Sequence, residues 1–218
     1  MNFNRKILTA WLPGHTKHPE VNGTIAVDID STLFCFLSAF IEVAKEQFDI
    51  TVPSKQDSWS GIEEPFESLE QFKECVIATC SADRLKKNPP FAGAIKALNK
   101  LHLAGYKIAY YTDRHRELEL STKKWLEFYV FPTPENLFMC EDKIVELAEL
   151  GDLITIIDDK GAVLVWGVGK KKLPQVFGLI QHYNYCFVDV EGIVLEESWG
   201  TLYRRLLLYL DTLGIEEA

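Results

Sequence analysis

The sequence lacks an excess of positive charge. Its 218 residues include 23 lysines and arginines against 32 aspartates and glutamates, which gives a formal net charge of −9. This balance provides no overall attraction to nucleic acid or to an anionic membrane, so we expect neither as a partner. An acidic protein that binds a phosphorylated substrate needs a divalent cation or a local basic cluster to receive the anion.

Closely spaced cysteine pairs and long apolar runs are also missing. The five cysteines are scattered and contain no C-x-x-C pair, which favours reduced thiols over a disulfide framework. No apolar run approaches the length of a membrane span, and residues 7–13 are too few and too interrupted for a signal-peptide core. These features predict a cytoplasmic protein, although the first acidic residue is Glu20, which leaves an organelle-targeting segment open.

Internal repeats, linkers and low-complexity segments are absent, and the length suits one domain with a modest insertion. Apolar strand-like runs alternate with helical patterns along the chain, which predicts an α/β fold with a Rossmann-like parallel sheet. The predicted strands are residues 24–27, 107–112, 136–139, 153–157 and 185–188.

Two helical patterns, at about residues 31–48 and 68–80, follow the first strand before Asn88-Pro89-Pro90 breaks the chain. We therefore predict a small helical cap, residues 33–88, inserted into an α/β core domain of residues 24–32 and 89–218. Residues 1–23 are predicted to form an N-terminal arm. Most aromatic residues of the cap are expected to form its own core, while the cap as a whole should select the substrate.

Polar side chains follow three of the predicted strands. Asp28 and Asp30 follow the first, Thr112 ends the second, and Asp158 and Asp159 follow a later one. The carboxyl ends of parallel strands lie at one edge of the sheet, so these residues should share one cleft. Carboxylates crowded there would repel one another without a cation, and hard oxygen ligands favour Mg²⁺.

Each acidic group could have a purely structural role when it is considered alone. Asp30 or Ser31 could cap the following helix, and Asp158 with Asp159 could cap a loop. The coincidence of three such strand ends favours a metal-dependent site over separate caps.

The motifs as a set resemble those of the haloacid dehalogenase superfamily of phosphotransferases. Residues 28–33 match its D-x-D-x-T-[LV] motif, Thr112 lies where the family places Thr or Ser, and residues 158–159 match its acidic pair. The family also has a lysine between these motifs. Lys143 fits that position best, since Lys123 and Lys124 lie on a predicted solvated helix face.

Within the superfamily the chain looks most like the 5′(3′)-deoxyribonucleotidases, through residues 141–145, 151–160 and 197–199. One departure is that Thr112 is followed by Asp113-Arg114 where those enzymes tend to have Ser-Pro. Arg114 could meet a polar substrate or could cap the next helix with His115. The N-terminal arm is a second departure.

The resemblance implies a role for each of four catalytic residues. Asp28 would be the nucleophile that forms an aspartyl-phosphate, and Asp30 would protonate the leaving group and then activate water. Thr112 would donate a hydrogen bond to a phosphoryl oxygen, and Lys143 would supply positive charge.

The resemblance also implies a Mg²⁺ site. The metal ligands would be Asp28, the backbone carbonyl of Asp30, and Asp158, with Asp159 binding through water or supporting the other ligands.

The expected function is therefore the hydrolysis of small phosphomonoesters, with nucleoside monophosphates as the first choice, and a homodimer stays open. The alternatives are a polynucleotide 3′-phosphatase, another small-molecule phosphatase, or a catalytically silent interaction protein with the same fold. A silent protein would be expected to have lost one of the acids, and all are present.

Overall fold

The computed structural model describes residues 22–54 and 59–213. Except for its last two residues, the predicted N-terminal arm lies outside this described part of the chain, and its conformation stays a prediction. Across the described residues, no helix combines the length and the apolar composition needed to cross a membrane.

The centre of the fold is a six-stranded sheet in which every neighbouring pair of strands is parallel. Its strands are β1 Thr24–Val27, β2 Lys107–Thr112, β3 Leu137–Met139, β4 Leu153–Ile157, β5 Val176–Leu179 and β6 Ile193–Glu196. Their spatial order is β3-β2-β1-β4-β5-β6. The predicted α/β class and Rossmann-like parallel sheet are confirmed.

Eight α-helices of the described residues lie between these strands or, for the last of them, after β6. They are α1 Phe36–Phe48, α2 Leu69–Thr79, α3 Ala82–Lys87, α4 Ala94–Leu103, α5 Glu119–Phe128, α6 Lys143–Ala148, α7 Gly161–Gly169 and α8 Trp199–Thr212. Short 3-10 helices span Trp59–Ile62, Arg116–Leu118 and His182–Phe187.

The apolar composition of β1 fits its place in the middle of the sheet. All four of its residues are buried, as expected for a strand that is covered on both faces, whereas β3 at the sheet edge is only partly covered. Because all strands run the same way, their carboxyl ends meet at one edge. The backbone N–H of Asp28 donates to the carbonyl of Ile157 at 2.8 Å, so the pairing of β1 with β4 continues up to the first acidic residue.

The helices between β1 and α4 pack directly on the core domain. Phe34 contacts Trp125 of α5 with ring centroids 5.4 Å apart, and Phe40 of α1 lies 5.6 Å from the rings of both Phe66 and Phe72. The buried residues of this segment belong to the same hydrophobic cluster as β1. Most of its aromatic residues are thus core residues, but they share one cluster with the core domain instead of forming a separate core of the cap, and the boundary between cap and core domain stays a prediction.

The predicted strand at residues 185–188 is wrong. Residues of that segment lie in the 3-10 helix His182–Phe187, which Gln181 and Asn184 stabilise with a reciprocal capping box. Asn184 is fully buried and donates to the carbonyls of Asp159 and Leu179 at 3.0 Å each. Of the predicted strand, Tyr185, Cys186 and Val188 are exposed and Phe187 is partly buried, and the strands in this part of the chain are β5 and β6.

Gly178 in β5 has no room for a side chain. A Cβ atom at this position would lie 2.3 Å from the backbone oxygen of Asp158 and 3.0 Å from Leu195 Cδ2. We expect Gly178→Ala to lower the free energy of unfolding by about 1–3 kcal/mol, because β4 and β5 must move apart to admit the methyl group. Urea unfolding measures this change.

Gly169→Ala is the matched control. Apart from the neighbouring residues and the nearby backbone of α7 itself, no described atom lies within 4 Å of a Cβ placed at this last position of α7. Alanine favours a helix more than glycine does, so this variant should not lose stability. Equal unfolding free energies for the two variants would contradict the close contact between β5 and Asp158.

Candidate active site

The sheet edge carries its acidic residues on neighbouring strands. Asp28 follows β1 and Asp158 follows β4, and the backbone N–H of Asp158 donates to the carbonyl of Phe177 in β5 at 2.9 Å. Both carboxylates therefore extend from backbone that the sheet holds in place. Both are buried, with Asp28 5% and Asp158 0% exposed.

The turn after β1 is held from several sides. Ser31 has a left-handed backbone with φ of 61°, which is uncommon for a residue with a side chain. Its carbonyl accepts a hydrogen bond from Gln181 Nε2 at 3.0 Å, and the carbonyl of Thr32 accepts one from the indole nitrogen of Trp199 at 2.8 Å. These contacts fix the direction in which the chain leaves the acidic residues.

Lys143 bridges the two central carboxylates. Its Nζ atom lies 2.5 Å from Asp28 Oδ1 and 2.8 Å from Asp158 Oδ2, and its side chain is 3% exposed. Lys143 is the first residue of α6, where Asp142 caps the helix by accepting a hydrogen bond from the Ile144 N–H at 2.9 Å. The structure thus brings the lysine chosen from the sequence to the predicted nucleophile.

Burial and charge act in opposite directions on these groups. Burial alone would lower the pKa of Lys143, but the carboxylates of Asp158 and Asp28 raise that pKa well above its usual value. Burial raises the pKa of Asp28, and Lys143 only partly opposes this increase. A positively charged lysine between two acidic groups is therefore the arrangement that the site favours.

Three acidic residues fit a divalent cation. Carboxylate oxygens of Asp28, Asp158 and Asp159 all lie within 4.8 Å of one another. Among the described residues, Asp28 Oδ2 is a buried oxygen without a hydrogen-bond partner, and a buried unpaired carboxylate oxygen is costly. A metal ion would satisfy that oxygen, so the donor set suits the predicted Mg²⁺.

Asp159 is the third member of this group. It is 2% exposed and accepts a hydrogen bond from the Tyr183 hydroxyl. Burial, followed by the negative charge of Asp158, raises the pKa of Asp159 to about 7. Tyr183 was not selected from the sequence, because no motif marks it and the strand predicted nearby begins only at residue 185.

The side chain of Asp30 lies apart from the other acids. Its two oxygens accept hydrogen bonds from Arg114, and they are absent from the group of three carboxylates that could share an ion. The sequence resemblance gives Asp30 a metal contact through its backbone carbonyl, and this contact stays a prediction.

Thr112 and its neighbours lie at the same edge. Thr112 ends β2, which pairs with β1 so that Tyr110 lies opposite Val27, and its buried hydroxyl accepts the backbone N–H of Arg114 at 3.4 Å. Arg114 neither faces an open pocket nor caps a helix, since its side chain is buried against Asp30. The catalytic roles of Thr112 and the other predicted residues stay predictions.

Removal of the lysine should reveal how much the buried carboxylates depend on it. We expect Lys143→Met to lower the free energy of unfolding by about 3 kcal/mol, because it leaves Asp28 and Asp158 buried without a compensating charge. Urea unfolding in the presence of EDTA measures the change without help from a metal ion.

Lys124→Met provides the control, because Lys124 is exposed on α5. Its effect should stay within about 0.5 kcal/mol. If both variants unfold at the same urea concentration, Lys143 does not stabilise the site.

A comparison with protein-family models matches none of them. A curated Bacillus cereus protein, named provisionally as a nucleotidase, is 29% identical over 160 residues, which cover 72% of each chain.

Solved structures share the fold at lower identity. A HAD family hydrolase from Deinococcus radiodurans R1, solved with bound phosphate and sodium, has a TM-score of 0.55 and 13% identity, covering 89% of this chain and 98% of its own. A phospho-aspartyl intermediate analogue of phosphoserine phosphatase has a TM-score of 0.52 and 15% identity, covering 87% and 99%.

These likenesses agree with the motifs at the sheet edge. Residues 28–33, Thr112, Lys143 and residues 158–159 match the superfamily pattern in sequence, and the structure brings Asp28, Lys143 and Asp158 together at the carboxyl edge of one parallel sheet. The fold that the resemblance predicts is thus confirmed, whereas the closer likeness to deoxyribonucleotidases stays a prediction. The chain has the fold of the haloacid dehalogenase superfamily.

Proposed function

We propose that this protein is a Mg²⁺-dependent phosphomonoester hydrolase that works through a phosphorylated Asp28. The main observation behind the proposal is that the two oxygens of the Asp28 carboxylate have different surroundings. Lys143 holds Oδ1 at 2.5 Å, while Oδ2 is buried and has no hydrogen-bond partner among the described residues. One oxygen is thus fixed and the other is left for a metal ion or for phosphorus.

The first step would transfer the phosphoryl group to Asp28. A carboxylate oxygen of Asp28 forms the new bond to phosphorus as the bond to the leaving oxygen breaks, and Asp30 gives a proton to that oxygen. Lys143 offsets the negative charge of the nucleophile, and Thr112 donates a hydrogen bond to a phosphoryl oxygen.

The second step would return Asp28 to its free form. Asp30, now a carboxylate, takes a proton from water while the water oxygen attacks phosphorus and the bond between phosphorus and the Asp28 oxygen breaks. This step releases inorganic phosphate, frees the Asp28 carboxylate and restores protonated Asp30. A Mg²⁺ ion held by Asp28, Asp158 and Asp159 would supply positive charge that reduces repulsion between an anionic nucleophile and an anionic substrate.

Two similarities support this chemistry. The Deinococcus radiodurans hydrolase of the same fold was solved with phosphate, and the phosphoserine phosphatase structure is an analogue of a phospho-aspartyl intermediate. Both belong to proteins that share little sequence with this chain, so they support the reaction type and leave the substrate open.

Nucleoside monophosphates are the substrates we propose first. The support is the provisional nucleotidase name of the Bacillus cereus relative, together with the deoxyribonucleotidase-like segments around Lys143, Asp158 and Trp199. Helices α1 to α3 pack on the same core as β1, which favours a compact substrate over a polymer. A cytoplasmic location and a homodimer stay predictions from the sequence.

Asp28→Asn should abolish phosphatase activity while the fold is kept. The substitution has nearly the same shape but removes the nucleophilic charge, so we expect kcat to fall at least about a thousandfold. Release of inorganic phosphate measures activity, and circular dichroism checks the fold.

Asp211→Asn, on the exposed side of α8, controls for loss of an acidic group in general and should keep normal turnover. Near-normal turnover by pure Asp28→Asn protein would rule out Asp28 as the nucleophile.

A substrate screen should separate the proposed function from its alternatives. We expect Mg²⁺-dependent hydrolysis of nucleoside monophosphates with higher kcat/KM than sugar phosphates or 3′-phosphorylated oligonucleotides, and loss of activity in EDTA. Preference for the oligonucleotides would favour the polynucleotide 3′-phosphatase instead. Hydrolysis of sugar phosphates alone would keep the phosphatase but contradict the nucleotidase, and inactivity on every ester would favour a silent protein.

A further inference from the structure

Arg114 follows β2 and is buried, with its side chain 2% exposed. Its Nε and Nη2 atoms donate to the two carboxylate oxygens of Asp30 at 2.9 and 2.7 Å. Its Nη1 atom donates to Thr122 Oγ1 at 2.9 Å, and its guanidinium carbon lies 5.3 Å from the centre of the Phe34 ring.

These contacts fix Arg114 independently of Asp30. Thr122 belongs to α5 and Phe34 to the segment after β1, and both residues are fully buried. A guanidinium held on one side by a hydroxyl and packed against an aromatic ring has little freedom to rotate. Its planar pair of donors therefore determines the plane of the Asp30 carboxylate, as paired arginine hydrogen bonds do in general.

Two positively charged side chains contact different acidic residues at the site. Lys143 contacts Asp28 and Asp158, while Arg114 contacts Asp30. Asp30 also differs from those two acids in being partly open, with its side chain 19% exposed. Without its own cation, the carboxylate of Asp30 would be attracted by Lys143, which lies at the same sheet edge.

We propose that Arg114 is a positioning residue that acts through Asp30. It holds the carboxyl group of Asp30 towards the leaving group and away from the metal-binding carboxylates, and it keeps its own protons throughout. The inference rests on the proposed function. In that reaction Asp30 gives one proton to the leaving oxygen and regains one from water, so its orientation should matter most when the leaving group needs a proton.

Two leaving groups test this role. A nucleoside 5′-monophosphate releases an alkoxide that must be protonated, whereas p-nitrophenyl phosphate releases a stable phenolate. We expect Arg114→Met to lower kcat/KM for the nucleotide by about a hundredfold, as loss of acid catalysis does, and to lower it much less for p-nitrophenyl phosphate. The parameter kcat/KM is suitable because it reports formation of phospho-Asp28, whereas hydrolysis of that intermediate is common to both substrates.

A double variant tests whether Arg114 acts through Asp30. Asp30→Asn should cause the same substrate-dependent loss, and adding Arg114→Met to it should cause little further change, because coupled residues are not additive. Arg84→Met is the matched control, since Arg84 pairs with Glu46 within the cap and should leave both substrates unaffected.

Thr122→Val and Arg114→Lys provide milder variants in case Arg114→Met does not fold. The first removes the hydroxyl that holds Arg114, and the second keeps the charge but loses the paired donors. Both should show a smaller loss with the same preference for the nucleotide. Circular dichroism of each variant confirms that the fold is kept.

The possible outcomes separate this inference from the proposed function. Equal losses with both substrates, or further losses in the double variant, would overturn the inference and leave the phosphatase in place. Wild-type protein that hydrolyses neither substrate would overturn the proposed function and the inference with it. A selective loss with the nucleotide, absent once Asp30 is changed, would support both.

Discussion

The architecture of the site depends on one buried positive charge. Parallel pairing of β1 with β4 forces Asp28 and Asp158 together at a place with little water, where two carboxylates would repel each other. Lys143 offsets this repulsion because its ammonium group contacts both carboxylates. The N-terminal cap of α6 by Asp142 determines where that ammonium group lies.

The sequence predicted the central strands of the sheet well, but it did not predict β5 and β6 at one edge. Strands β1, β2 and β4 are apolar runs long enough to recognise, since both faces of the sheet are covered. The short strand β5 contains Gly178, which weakens a strand pattern even though close packing against Asp158 requires glycine there. Residues 185–188 have a more strand-like sequence, but residues 182–187 form a 3-10 helix. Asn184 holds that helix through hydrogen bonds to the carbonyls of Asp159 and Leu179, and the sequence around residue 185 does not reveal the contact with Asp159.

The candidate site was predictable where one local motif or a family resemblance marks it. Asp28, Asp158 and Asp159 follow strands, and the resemblance selected Lys143 from several lysines. The partner of Asp30 could not be predicted in this way, because Arg114 is 84 residues away and its sequence neighbours are equally compatible with a substrate contact or a helix cap. Its unusual position after Thr112 was the available signal, and tertiary packing determines what it contacts.

The turn that carries the acidic residues takes its support from distant parts of the chain. Gln181 and Trp199 donate to the carbonyls of Ser31 and Thr32 across 150 and 167 residues, respectively. During synthesis the segment around β1 emerges long before either donor exists. A nascent chain that has not yet reached α8 therefore holds the acidic residues without the support that fixes their geometry. The geometry of the site is in this way tied to synthesis of the chain through α8.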